Sequence, residues 1–115
     1  MSAPTIDRAT FEALKQTTGA EFVLELVDTF LQEAPVMLDD LRRALAAKDA
    51  DKFRRTAHSL KSNSNTFGAL TLGAMARELE LTSVSKVSED RVEPLDALAQ
   101  EYSRVAAALT ALRHA

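Results

Sequence analysis

Apolar residues recur every three or four positions along almost the whole of this chain, the spacing that places them on one side of an α-helix. With only three glycines and three prolines among 115 residues, the chain has few of the residues that form tight turns. The pattern is longest in residues 20–48, where it includes Phe22, Val23, Leu26, Val27, Phe30, Leu31, Ala34, Met37, Leu38, Leu41 and Leu45. This periodicity predicts an all-α fold.

Capping residues and breaks divide the first half of the pattern into two helices. Asp7 is suited to cap a short first helix, which is expected to stop before Gly19. Residues 20–48 then form a longer second helix. Because Pro35 lacks a backbone donor, we expect a kink or a local break at that residue.

The second half of the chain predicts three further helices. Residues 48–51 supply a turn and a capping acid before a third helix over residues 52–67, which Gly68 ends. A fourth helix is expected over residues 69–82, followed by a polar loop over residues 83–90. The last helix carries an apolar stripe of Leu95, Leu98, Tyr102, Val105, Leu109 and Leu112. Together these segments predict an antiparallel four-helix bundle with a short additional N-terminal helix.

Length and composition limit the class of protein. A chain of 115 residues that is 46% hydrophobic suits one compact domain, spanning residues 1–115. It has no cysteine, which excludes disulfides and thiolate metal sites and favours a reducing, cytoplasmic setting. The N-terminal sequence "MSAPTIDRAT" lacks the features of a signal peptide, and no segment has the length of a membrane span. We therefore expect a cytoplasmic protein that does not associate with membranes.

A helical wheel of the third predicted helix separates a buried stripe from a polar side. His58 lies roughly 140° around the helix from the first residue of that stripe, so its imidazole is expected to face solvent. The stripe itself falls within roughly 40° and consists of Phe53, Ala57, Leu60, Ser64 and Phe67. Arg54 and Arg55 lie one turn before His58, and Lys61 and Ser62 lie one turn after it.

This polar side belongs to a basic window of the sequence. From Lys52 to Arg77 there is no carboxylate, and five lysines or arginines give the window a charge of +5. The rest of the chain must carry −8 to reach the net charge of −3. A segregated basic face attracts an anion or an acidic protein surface. Nucleic-acid binding is disfavoured, because the net charge is negative and the basic area is about one helix face.

His58 leaves several alternatives open on its surroundings alone. It could be an ordinary solvated histidine, a metal ligand, a general base or a nucleophile. Metal binding is disfavoured, because the only other histidine is His114 near the chain end and no carboxylate lies one helical turn from His58. A general base would need a pocket that a small convex bundle does not obviously offer. Capture of a phosphoryl group fits better, with Lys61 neutralising the phosphoryl oxygens.

The segment "AHSLKSNSNTFGA", residues 57–69, is similar to the signature of the histidine-containing phosphotransfer (HPt) domains of bacterial phosphorelays. That signature has the form His-x-Leu-Lys-Gly, followed after four residues of any type by a hydrophobic residue and glycine. The matching residues are His58, Leu60, Lys61, Phe67, Gly68 and Ala69. The long second helix, with its Ala-Pro pair, and the "RELE" of the fourth also resemble the family, so the resemblance covers nearly the whole chain.

The resemblance implies roles for the polar side of the third helix. His58 would be the phosphoacceptor, Lys61 would contact the phosphoryl oxygens, and Gly68 would be a structural turn glycine. The residues that would shape the docking face or access to the histidine are Arg54, Arg55, Ser62 and Asn65. Ser62 departs from the family pattern, which has glycine there. It is either a neutral, better helix former or a side chain that narrows access to His58 or bonds the phosphoryl group.

The resemblance also implies the partners. Response-regulator receiver domains would donate and accept the phosphoryl group, and a hybrid sensor histidine kinase is a further expected partner. The catalytic acids and Mg²⁺ would belong to the receiver, so this chain would bind no cofactor or metal and would be a monomeric phosphocarrier rather than an enzyme. The alternative function is a helical adaptor that binds an acidic protein surface and never carries phosphate.

Overall fold

The computed structural model of the chain describes residues 5–82 and 93–113, and the polar loop expected over residues 83–90 lies outside them. The described residues form five helices: α1 (Arg8–Thr18), α2 (Ala20–Ala46), α3 (Ala50–Thr66), α4 (Leu70–Leu81) and α5 (Glu93–Arg113). Helices α2 to α5 form a bundle in which each contacts two others, with α3 diagonal to α5. Helix α1 packs on α2 and α3. The predicted all-α fold is confirmed.

Aspartates set the beginnings of α1 and α3. Asp7 accepts a hydrogen bond from the backbone N–H of Thr10 at 3.1 Å, and Asp49 accepts one from the backbone N–H of Lys52 at 3.1 Å. Such caps satisfy amide groups that have no partner in the first helical turn. The expected start of the first helix after Asp7 agrees with the structure. Helix α3 begins at Ala50, slightly earlier than expected, because Asp49 is its cap.

Helix α2 runs through Pro35 without a break, so of the two expected outcomes, a kink or a local break, the break is wrong. Proline has no amide hydrogen, and the carbonyl of Leu31, four residues earlier, therefore loses its helical partner. The hydroxyl of Tyr102 on α5 donates to this carbonyl at an O···O distance of 3.4 Å. Burial raises the pKa of Tyr102, which keeps the hydroxyl protonated as a donor. A neighbouring helix thus supplies the donor that α2 lacks.

The core is made from the apolar stripes of the helices. The largest fully buried side chains include Leu41, Phe53, Leu60, Leu72, Leu98 and Leu109. Phe22 was expected in the stripe of the second helix, but it is 50% exposed. It lies about 100° around the helix from the buried Val23, outside the arc that faces the bundle.

The turn between α3 and α4 also holds the start of α1. Gly68 has φ +86°, a conformation that glycine adopts without a steric penalty. Its carbonyl accepts a hydrogen bond from the backbone N–H of Asp7 at 2.7 Å. A Cβ atom at Gly68 would lie 2.7 Å from the carbonyl oxygen of Asp7, so only glycine permits this close approach.

Candidate functional site

Helix α3 holds its polar side outward because the opposite side is packed into the bundle. The predicted stripe is buried as expected: Phe53, Ala57, Leu60, Ser64 and Phe67 are all 5% exposed or less. The only polar member, Ser64, is satisfied by donating to the carbonyl of Leu60 at 2.6 Å. The side chain of His58 is 58% exposed, as the helical wheel predicts.

His58 does not stand alone on this surface, because a carboxylate from α4 reaches it. Its Nδ1 lies 2.8 Å from Oε1 of Glu80. The other oxygen of Glu80, Oε2, lies 3.0 Å from Nζ of Lys61, one turn after His58 on α3. One carboxylate therefore bridges the imidazole and the ammonium group. The expectation of a patch free of acids is wrong, because it considered only neighbours along the sequence.

Glu80 is held in its charged form by these contacts. The side chain of Glu80 is 18% exposed. Its Oε2 is buried and makes no regular hydrogen bond within the described residues, although it forms the ion pair with Lys61. The Lys61 ammonium, and secondly the His58 imidazole, lower the pKa of Glu80 against the opposing effect of burial. Because the carboxylate stays ionised, it accepts a hydrogen bond from Nδ1–H rather than donating one. The tautomer this favours carries hydrogen on Nδ1 and a lone pair on Nε2.

The two arginines before His58 have a partner of their own. Nη2 of Arg54 lies 2.7 Å from Oδ1 of Asp51, and Nε of Arg55 lies 3.0 Å from Oδ2 of the same carboxylate. All three side chains are more than half exposed. Asp51 stands just before the acid-free window of the sequence. The pairs draw both guanidinium groups toward the beginning of α3, away from His58.

Ser62 and Asn65 continue the exposed side of α3 beyond His58. The carbonyl of Ser62 accepts a hydrogen bond from the hydroxyl of Thr66 at 2.9 Å. The side chain of Asn65 lies across Gly73 of α4, where an added Cβ would be 2.0 Å from Oδ1 of Asn65. Asn65 therefore fills the close crossing of α3 and α4, in addition to lining the surface.

Sequence reasoning missed Glu80 and Asp51. The signal for Glu80 was present, because α3 and α4 form an antiparallel pair around the turn at Gly68, and His58 and Glu80 are equally far from Ala69 in the sequence. Residues so placed on paired helices lie at the same height. The structure thus brings Lys61 and His58 together at one carboxylate, and holds Arg54 and Arg55 at another.

The described residues contain neither a candidate metal site nor a candidate membrane span. No three histidine, aspartate or glutamate side chains of residues 5–82 and 93–113 are grouped so that they could hold a metal ion. None of the five helices combines the length and the apolar character needed to cross a membrane.

Comparison with known proteins links this geometry to one family. The model of the Hpt domain family matches residues 25–115. The chain is 32% identical over 99 residues to the sensor protein TorS of Escherichia coli K12, a match that covers 86% of this chain and 10% of TorS. The chain therefore spans about a tenth of the length of this relative.

Two solved structures have the same fold. The histidine-containing phosphotransfer protein B (HptB) of Pseudomonas aeruginosa PAO1 superposes with a TM-score of 0.88 at 28% identity, covering 98% of this chain and 97% of HptB. The HPT domain of a sensor hybrid histidine kinase from Shewanella superposes with a TM-score of 0.73 at 20% identity, covering 94% and 92% of the two chains.

Proposed function

This chain belongs to the Hpt domain family, and we propose that His58 accepts a phosphoryl group from an aspartyl phosphate on a receiver domain and passes it to another receiver. The observation that carries the proposal is the exposed imidazole whose Nδ1 is engaged by Glu80. That contact leaves Nε2 as the nitrogen with a lone pair and with access to a partner. A solvated histidine without a function would not need a carboxylate from a second helix to fix its tautomer.

The transfer is a nucleophilic displacement at phosphorus. The lone pair of Nε2 forms the P–N bond while the P–O bond to the receiver aspartate breaks and its electron pair returns to that carboxylate. The second transfer is the same reaction in reverse, with an aspartate of another receiver as the nucleophile. Mg²⁺ and the catalytic acids are supplied by the receiver. The chain itself is a phosphocarrier without turnover of its own.

Lys61 is placed to neutralise the phosphoryl group. Its side chain is 24% exposed, and its ammonium group forms an ion pair with Oε2 of Glu80. An ammonium group has three donors, so Lys61 keeps this ion pair while donating to a phosphoryl oxygen on Nε2. Ser62, one turn after His58, borders the approach to the imidazole.

Receiver domains are the proposed partners, and a hybrid sensor kinase is a further one. The exposed guanidinium groups of Arg54 and Arg55 share the single carboxylate of Asp51, which leaves this cluster with a charge of +1. Such a cluster attracts the acidic surface that surrounds a receiver aspartate. Exposed ion pairs contribute only about 0.2–1 kcal/mol, so a partner carboxylate exchanges with Asp51 at little cost.

The test is phosphorylation by a receiver. Incubation with phosphorylated receivers of the source organism and Mg²⁺ is expected to give a phosphoprotein that is labile in acid and stable in alkali. His58→Gln is expected to abolish the label without changing the circular dichroism spectrum. His114→Gln is the matched control, and it should label as the wild type does. Label that persists in His58→Gln would refute the assignment.

The second candidate, a helical adaptor, is favoured by the exposed arginine cluster alone. It predicts that the chain binds receivers or other acidic proteins without ever becoming labelled. Binding that is unchanged in His58→Gln, weakened in an Arg54→Ala, Arg55→Ala double variant and accompanied by no phosphoryl transfer would support the adaptor over the phosphocarrier.

A further inference from the structure

One proton is shared in the hydrogen bond between His58 and Glu80. Whether that proton is on the ring decides how readily the phosphorylated ring gives up its phosphoryl group. Nδ1 and Oε1 are 2.8 Å apart, which is a hydrogen-bond distance. Before phosphorylation the neutral imidazole holds that proton on Nδ1. When Nε2 gains a phosphoryl group the ring becomes an imidazolium, and its charge must be compensated or the Nδ1 proton is lost to water.

We propose that Glu80 keeps the Nδ1 proton on the His58 ring through both transfers. The phosphorylated ring then stays an imidazolium, and it leaves the phosphorus atom as a neutral imidazole. The inference rests on the proposed phosphotransfer function. In the first transfer the ring gains a positive charge beside the Glu80 carboxylate. In the second, the P–N bond breaks and its electron pair returns to Nε2. The proton stays between Nδ1 and Oε1 in both steps, and no other acid or base is required.

The charge of Glu80, and not only its position, is what this role needs. A phosphorylated ring that has lost the Nδ1 proton would have to leave as an imidazolate anion, a poor leaving group. An opposite charge within about 4–6 Å favours the charged form of a group by about one pH unit or more, which is a factor of about ten. Glu80 therefore makes the phosphohistidine a better phosphoryl donor and a shorter-lived species.

Lys61 limits the basicity of Glu80. If the carboxylate took the proton from Nδ1, the ring would lose the advantage just described. The ion pair between Oε2 and Nζ at 3.0 Å keeps the carboxylate a weak base, in agreement with the lowered pKa of Glu80. The three groups thus act together: Lys61 holds the charge on Glu80, and Glu80 holds the proton on His58.

Several other charged groups on the helices around the site are engaged elsewhere. On α3, Arg54 and Arg55 pair with Asp51. On α4, Arg77 lies one turn before Glu80 and is exposed. Among the charged groups of the two other helices that contact α3, Asp39 of α2 pairs with Arg43, and Asp7 before α1 bonds Thr10.

The test compares Glu80→Gln with wild type after loading with phosphoramidate, a small phosphodonor that requires no receiver. The glutamine carbonyl still accepts a hydrogen bond from Nδ1–H, so the variant removes the charge and keeps the acceptor. Glu78→Gln is the matched control, because Glu78 is an exposed acid on the opposite side of α4 and its loss changes the net charge equally. Thermal melts establish that all three proteins are folded.

The readouts are the rate of phosphate loss between pH 6 and 9, followed by ³¹P NMR, and the ¹⁵N shift of Nδ1 in the loaded protein. In Glu80→Gln the fall of the rate with rising pH is expected to begin about one pH unit or more lower than in wild type, with a phosphohistidine that lasts roughly ten times longer at pH 8. Its Nδ1 shift is expected to be that of an unprotonated nitrogen under conditions where wild type is protonated. Glu78→Gln is expected to follow wild type.

The possible failures are distinguishable. If wild type takes no label on His58 from either phosphoramidate or a phosphorylated receiver, the proposed function itself is wrong. If wild type is labelled but its pH profile and Nδ1 shift coincide with those of Glu80→Gln, the phosphocarrier role stands and the proton-retaining role of Glu80 is overturned.

Discussion

Replacing Gly68 by alanine measures how tightly the α3–α4 turn holds α1. A backbone φ of +86° costs a residue with a Cβ about 1–2 kcal/mol. The new Cβ would also lie 2.7 Å from the carbonyl oxygen of Asp7, a backbone atom that moves only with the start of α1. That movement breaks the hydrogen bond from the Asp7 N–H to the Gly68 carbonyl, worth about 0.5–1.5 kcal/mol. The free energy of unfolding should fall by about 1.5–3.5 kcal/mol.

Urea denaturation followed by helical circular dichroism checks this value, and the melting temperature should fall by about 6–14 °C. Gly73→Ala is the control. Its Cβ would meet Oδ1 and Cγ of Asn65 at 2.0 and 2.8 Å, but both atoms belong to an exposed side chain that can rotate away. Alanine also stabilises a helix interior by about 1 kcal/mol relative to glycine. Gly73→Ala should therefore change stability by less than about 1 kcal/mol. Equal losses in the two variants, or no loss in Gly68→Ala, would refute the reasoning.

Three further outcomes follow from the described contacts. Lys48 has φ +56° in the turn after α2, so Lys48→Gly should stabilise the protein by about 1 kcal/mol in the same urea assay, and a loss of stability would contradict the strain. Tyr102→Phe should cost about 0.5–1.5 kcal/mol, because the carbonyl of Leu31 loses its donor. In a Pro35→Ala background this cost should shrink, since the new backbone N–H reaches that carbonyl, and an undiminished cost would argue against the exchange of donors. The pKa of Glu80 is lowered in the folded protein, so the unfolded chain binds more protons in acid. The contribution of Glu80 to stability is therefore complete above about pH 4.5, and it is lost as the pH falls through the lower pKa of the folded state. Glu80→Gln should weaken the acid dependence of the melting temperature between about pH 5 and pH 2, and a curve identical to wild type would exclude this contribution.

Much of the fold follows from local patterns in the sequence. The buried stripe of α3 and the exposure of His58 depend only on helical periodicity, and a helical wheel places both correctly. The caps at Asp7 and Asp49 are equally local, because each side chain bonds an amide three residues away. Interactions of this kind can be predicted without knowing how the helices pack.

The errors concern contacts between helices. A kink or a local break was expected at Pro35, and the break does not occur. The sequence pattern could not show this, because the donor that replaces the missing N–H comes from Tyr102, far along the chain. The surroundings of His58 were expected to lack acids, because Glu80 becomes a neighbour only when α4 folds back against α3. A window along the sequence measures charge on one helix, whereas the electrostatics of a site depend on every helix that borders it.

The hydroxyl of Tyr102 also has a consequence for the alignment of the bundle. An apolar stripe with repeats of three and four residues can slide along a neighbouring helix by one turn, about 5.4 Å, and still bury similar side chains. A directional bond to a single carbonyl does not tolerate such a slip, which would leave the oxygen of Leu31 without a donor. Pro35 therefore leaves the carbonyl of Leu31 without a donor from its own helix. Only one register of α5 places the Tyr102 hydroxyl at that carbonyl. Arg42 with Asp96, and Arg113 with Asp28, form ion pairs between the same two helices on either side of that level.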